Sequence, residues 1–221
     1  MGKGIARFAP LTGLLTVVLG AVTFILASTW ADEPGSKATG AEVAAWLTDK
    51  SWQVIVVGWL WLLTAAAFLW FLGSLRVVLA RGEGGERRVT AIAWSAGLAA
   101  TVAFAMWAVP LMGAASMQEN DGRTLTPTAA EAMFVLSNGS GFYFVVEIAA
   151  GVLALATAIV TLRSGALPKW YGWLGLLYGV VLLIIPIGWA AMIGFPIWIL
   201  LTTLLVWKAE SASGAQAGAT A

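Results

Sequence analysis

Residues 141–162 read GFYFVVEIAAGVLALATAIVTL. At about 1.5 Å per residue this run makes a helix long enough for a hydrocarbon core of about 30 Å. It contains a single formal charge, Glu147, and no proline. The reading is a membrane-spanning helix, and it decides what kind of fold the other apolar runs belong to. Glu147 is also the feature that invites a functional reading. A carboxylate inside a span costs about 2.5–3.5 kcal/mol on insertion scales, so it is a candidate functional group by default.

Working outward, composition agrees with that reading. Hydrophobic residues make up 60% of the chain and charged residues 10%, with 13 Trp. A soluble domain carries about 25% charged residues. The apolar residues gather in further runs, which place spans at about 8–28, 54–75, 91–113, 169–187 and 191–207 beside 141–162. The fold expected is an all-α membrane protein, a single domain over residues 1–208 made of six transmembrane helices. The last two spans come from a 39-residue run, 169–207, that is too long for one helix and breaks at Pro186, Gly188, Gly194 and Pro196. Residues 209–221 are small and polar and read as a disordered tail.

The first span admits two readings. Lys3 and Arg7 precede an apolar run over Leu11–Ala27, and Thr29-Trp30-Ala31 would serve as a cleavage site. That run exceeds the usual signal-peptide core of 7–15 residues, which favours an uncleaved anchor.

Two polar loops carry helix signals. Thr39 and Glu42 have capping-box spacing ahead of Val43, Trp46 and Leu47, so residues 40–49 read as a short interfacial helix. Thr126-Pro127 opens a second one over 127–137. Thr128 and Glu131 repeat the capping-box spacing there, and Ala129, Ala132, Met133 and Leu136 make its apolar stripe. The two loops repeat in form, which fits duplicated hairpins of the kind found in some transporters and equally fits the frequency of amphipathic loop helices. Asn138-Gly139-Ser140-Gly141 then reads as a turn.

Absences exclude chemistry. The chain has no Cys and no His. Disulfides, thiol nucleophiles, the commonest general base and the usual zinc and haem ligands are therefore missing. No paired intramembrane carboxylates or nucleophile elbow replace them, so the protein is expected not to be an enzyme, with no cofactor and no metal site. The glycines of Arg81–Arg88, RGEGGERR, lack the Gly-Lys-Ser/Thr of a phosphate loop and read as a solvated hairpin. A net charge of +1 without a basic cluster predicts no nucleic-acid partner.

Charge also sets orientation. With six spans, Lys3, Arg7, Arg76, Arg81, Arg87, Arg88, Arg163, Lys169 and Lys208 fall on one side, and only Lys37, Lys50 and Arg123 on the other. The positive-inside rule then places both termini in the cytoplasm of a plasma-membrane protein. The long loops face outward with three basic against seven acidic residues.

Glu147 lies six residues into its span, about 9 Å down at 1.5 Å per residue. Tyr143 and Gly151 share its face, which continues through Ala154 and Ala158. Hydrogen-bond partners expected at its depth are Thr23, Trp59 and Trp107. It reads either as a proton- or cation-linked carboxylate or as a packing group bonded to those neighbours. Gly175 and Gly179 form a Gly-x-x-x-Gly helix-contact pair in the fifth span. The remaining tryptophans mark span ends, as aromatic belts do, or pack inside the bundle.

Two stretches resemble a known group. LWFLGSLRVVLARGEGGERR, residues 69–88, and LRSGALPKWYGWLGLLYGVV, residues 162–181, are similar to bacterial six-span integral membrane proteins of a domain-of-unknown-function group. The matching residues are Trp70, Phe71, Leu75 and Arg76, then Leu167-Pro168-Lys169-Trp170 and Gly172-Trp173-Leu174-Gly175. The resemblance implies six spans and no assigned activity. The partners to expect are the lipid bilayer and other membrane chains, a second copy included. The functional reading is a non-enzymatic accessory, scaffold or lipid-contacting component; the alternative is a small transporter or channel using Glu147 beneath an acidic outer vestibule.

Overall fold

A computed structural model describes residues 9–138, 140–185 and 188–219. Among them there are α-helices and one 3-10 turn, Ala9–Leu11, and no strand. The helices are α1 (Thr12–Thr29), α2 (Gly40–Asp49), α3 (Ser51–Glu83), α4 (Arg88–Asp121), α5 (Pro127–Asn138), α6 (Ser140–Ser164), α7 (Lys169–Ile184) and α8 (Gly188–Ala219). Five helical stretches are long and apolar enough to cross a membrane: Ala9–Thr29, Ser51–Glu83, Arg88–Asp121, Pro127–Ser164 and Ile193–Ser211. The most apolar window of the first is only 22% buried. Leu14, Val18, Phe24 and Ile25 of α1 are each about half exposed. Water does not tolerate such a surface on a monomer, whereas lipid does, and the protein is membrane-embedded.

The helices run past the expected span ends. α3 continues beyond Arg76 because Val78 and Leu79 are buried and the Arg76 guanidinium lies 5.2 Å over the Trp94 ring, a cation–π contact. α4 continues past Pro110 to Asp121, so residues 114–121 are helix and not loop. The proline removes one backbone bond, but Leu111, Ala114 and Ala115 beyond it are core residues, and their burial holds the helix on. Residues 209–219, expected as a disordered tail, continue α8. α7 ends at Ile184, and the turn expected at Pro186 lies outside the described residues. The turn expected at 138–141 is interrupted by Gly139, also outside them; Asn138 closes α5 and Ser140 opens α6.

The chain divides into two compact units. One comprises residues 18–65 and 102–143, the other residues 1–17, 66–101 and 144–221.

In the first unit, α2 and α5 pack on each other over a core of Val43, Leu47, Val54, Leu111, Ala114, Ala115, Ala130 and Phe134. Thr39 forms the expected capping box: its hydroxyl accepts from the Glu42 amide at 3.3 Å, and Glu42 Oε2 accepts from the Thr39 amide at 2.7 Å. These bonds hold the exposed Glu42 carboxyl below its usual range. The second box does not form. α5 starts at Pro127, and Thr126 Oγ1 takes the Ala129 amide at 3.3 Å, leaving Thr128 inside the helix. The buried stripe of α5 is also turned by about one residue, to Ala130, Phe134 and Ser137, with Leu136 62% exposed. The reason is α2. Gly40 approaches so closely that a Cβ there would meet the Pro127 carbonyl oxygen at 2.2 Å, and this contact fixes which side of α5 faces in.

In the second unit, Phe68 meets Phe195 edge-on at 5.5 Å, Phe195 stacks on Trp198 at 5.9 Å, and Tyr171 shares a 2.5 Å hydrogen bond with Thr202. The charged turn between α3 and α4 is held by Glu83, whose carboxylate accepts from the Val89 and Thr90 amides at 2.9 and 2.7 Å and so caps α4. Its Arg88–Glu86 pair is 80% and 70% exposed and adds little stability.

Candidate functional site

The first unit contains a partly open cavity of about 130 Å³. Its acidic group is Glu33, brought there by the way α1 ends. The Trp30 and Ala31 amides both donate to the Leu26 carbonyl, at 3.0 and 2.9 Å, and the Glu33 amide donates to Ala27 at 3.1 Å. Asp32 supplies the left-handed residue of this reversal, φ +50°, a conformation Asp tolerates better than most residues. The chain therefore folds back on the helix it has just left, and Glu33 comes to line the cavity with Ala27, Ser28 and Ala31.

Asn138 fastens Glu33 from the other side. As the last residue of α5, it donates Nδ2 to Glu33 Oε1 at 2.5 Å and accepts from Trp107 Nε1 at 3.2 Å. Trp107 in turn lies against Trp61, with centroids 4.7 Å apart and the rings tilted by 32°, and meets Tyr143 edge-on at 5.9 Å. Trp46 lines the same cavity with its Nε1 donating to the Ala31 carbonyl at 2.6 Å. Glu33 is half-buried, and burial pushes its carboxyl above the ordinary value of 4.5, against the opposing pull of the Asn138 bond. Among the described residues no Lys or Arg forms an ion pair with it.

The residues expected around Glu147 are found as follows. Glu147 itself is 2% exposed, in the second unit, with Tyr178 close enough to feel its charge. The Tyr178 hydroxyl is buried and makes no hydrogen bond among the described residues. Tyr143 belongs to the first unit, where it lines the Glu33 cavity. The Thr23 hydroxyl donates to its own helix at Leu19, 2.7 Å. Trp59 is 59% exposed, and the Trp107 indole donates to Asn138. Gly175 and Gly179 lie where α7 meets α6: a Cβ on Gly175 would be 3.4 Å from Ala158 Cβ, and one on Gly179 only 2.8 Å from the Gly151 carbonyl oxygen.

Sequence reasoning missed Glu33 and Asn138 as a pair. They are 105 positions apart, and no spacing rule links them. Among the described residues, no group of three or more Asp or Glu could hold a metal ion.

A second cavity belongs to the second unit. It is a wide lateral groove of about 620 Å³ formed by Ile92, Ser95 and Ala99 of α4 and Val145, Ile148 and Val152 of α6.

A family profile described as Domain of unknown function (DUF4386) covers residues 11–212. No curated protein and no solved structure matches.

Proposed function

The chain belongs to that domain-of-unknown-function family, and we propose that it is a non-enzymatic component of the plasma membrane that works by lateral contact. Six spans, α1, α3, α4, α6, α7 and α8, place both termini in the cytoplasm and the acidic long loops outside. The short member is α7, whose 16 residues give about 24 Å. A mismatch of that size is taken up by local thinning of the bilayer at a modest cost. Support for the orientation is the distribution of basic residues, nine against three.

The observation that carries the reading is the groove between α4 and α6. Its residues recur every three or four positions on both helices, Ile92, Ser95 and Ala99 facing Val145, Ile148 and Val152. The small side chains of its wall, Ala91, Ser95, Ala96, Ala99 and Ala149, allow close approach of a third helix, with the Ile and Val side chains flanking it. The occupant proposed is a helix of a partner membrane chain, a second copy included, with lipid filling the groove otherwise. The chain has no Cys, so Ala99→Cys is a unique reporter. Thiol crosslinking in native membranes should give one discrete adduct, and adding Ser95→Trp to the Ala99→Cys chain, which fills the groove and keeps the reporter, should abolish it. A ladder of adducts no different from that of an exposed control such as Ile184→Cys would end this reading in favour of lipid contact.

One observation favours a second reading, a small transporter or channel. Glu147 is buried on α6 beside Tyr178, whose hydroxyl lacks a hydrogen-bond partner among the described residues. Buried orphan polar groups of this kind ask for an explanation. On this reading, Glu147→Gln leaves the protein folded and removes proton- or cation-driven flux in reconstituted vesicles. Neither cavity described above has Glu147 in its wall, which is why lateral contact ranks first.

A further inference from the structure

We propose that the Glu33 cavity binds a small organic ammonium group, held between the carboxylate and the rings of Trp46, Trp61, Trp107 and Tyr143. The inference goes beyond the lateral-contact reading and uses none of the groove residues.

Four side-chain donors of the cavity wall are already used by the protein. Trp46 Nε1 donates to Ala31, Trp107 Nε1 to Asn138, Ser28 Oγ to Phe24 at 2.8 Å, and Asn138 Nδ2 to Glu33. No Lys or Arg is among the lining residues. An anion would meet few donors there and a carboxylate of its own sign. A cation meets the opposite: an acidic group without an ion-pair partner among the described residues, and aromatic rings whose π faces are negative.

The wall suits an organic cation better than an inorganic one. Calcium takes six to eight oxygen ligands, and magnesium needs near-ideal octahedral geometry. This cavity offers one carboxylate, and among the described residues no cluster of three acidic groups exists. Its wall is instead dominated by rings and aliphatic side chains such as Val54, Val57 and Leu111. Such a wall suits an ammonium whose charge is wrapped in methyl or methylene groups.

The cavity, about 130 Å³, compares with an engineered cavity of about 150 Å³ that holds benzene. A trimethylammonium or ethylammonium head fits that space, and a longer chain leaves through the open side. The rings are also fixed in advance. Trp61 and Trp107 pack against each other with tilted rings, and each of the Trp46 and Trp107 indoles is pinned by its own hydrogen bond, so little order is lost on binding.

The ammonium could be that of a free solute or of a lipid headgroup, and two arms of one experiment separate them. In the first arm, the full-length protein in a maltoside detergent is titrated with tetramethylammonium chloride against sodium chloride at equal ionic strength, followed by tryptophan fluorescence. In the second, its thermal unfolding is compared in nanodiscs of phosphatidylcholine and of phosphatidylglycerol. A saturable, tetramethylammonium-specific change that weakens about tenfold or more in Glu33→Gln supports a free ligand. A higher melting temperature in phosphatidylcholine that Glu33→Gln abolishes supports a lipid headgroup. Should Glu33→Gln not fold, Glu33→Asp and Trp107→Phe take its place and must weaken the same response. A response equal in wild type and folded variants, or no specific response in either arm, overturns the proposal.

Discussion

At the scale of the residue, the first unit depends on one amide. Asn138 serves as acceptor for Trp107 and donor to Glu33 at once, so Asn138→Ala leaves an indole N–H and a half-buried carboxylate without their partners. Each such loss is worth about 1–3 kcal/mol. The melting temperature of the detergent-solubilised variant is expected to fall clearly, and Asn138→Asp, which keeps an acceptor but brings a second negative charge to Glu33, should be no better. Glu33 also gives a pH signature. Its carboxyl is raised by burial, so the folded state holds that proton more tightly than the unfolded chain does. The corresponding stability is present below about pH 4.5 and is lost as pH rises through the higher folded value. Beside burial, the group that bears on it is Asn138, by hydrogen bond. Glu33→Gln is always neutral, so its melting temperature relative to wild type should climb between pH 4 and pH 7. A constant difference would mean that Glu33 titrates as it does in water.

At the scale of the element, the close packing of α6 and α7 makes two glycines behave differently. Gly175 has room for a methyl group, with its nearest neighbour at 3.4 Å, while at Gly179 a methyl would lie 2.6 Å from Leu155 Cγ and 2.8 Å from the Gly151 backbone oxygen. Alanine is about 1 kcal/mol better than glycine inside a helix. Gly175→Ala should therefore be neutral or stabilising in thermal unfolding, and Gly179→Ala destabilising. Equal effects would show that the helices separate more freely than this geometry allows. The caps tell a related story. The Thr39–Glu42 box was legible from spacing alone because both partners lie within one turn. The same spacing at Thr128 and Glu131 misleads, because Pro127 is already helical and Thr126 takes the capping role. Thr39→Ala should cost about 1 kcal/mol, and Thr128→Ala should cost far less.

For the whole molecule, the proposed orientation makes a direct prediction. In a Cys-free chain, single cysteines at Lys37 and Arg123 should react with a membrane-impermeant thiol reagent added to intact cells. Cysteines at Arg87 and Lys208 should react only after permeabilisation. Labelling of the first pair from the inside would invert the molecule and turn the Glu33 cavity towards the cytoplasm.

The sequence by itself determined that this is an all-helical membrane chain. Length, hydropathy and missing charges act locally and additively, so runs such as 141–162 announce themselves in one dimension. It also marked Gly175 and Gly179 as residues of helix contact, and Glu147 as the carboxylate placed where charge is costly. Where the helices stop was decided by the fold alone, because burial of Leu79 and of Leu111, Ala114 and Ala115 outweighs the arginine and proline that read as ends. It alone joined Glu33 to Asn138 and ringed them with tryptophans. That site is built from the end of one helix and the end of another 105 residues later, and a hydrogen bond between two short polar side chains leaves no periodic trace along a chain.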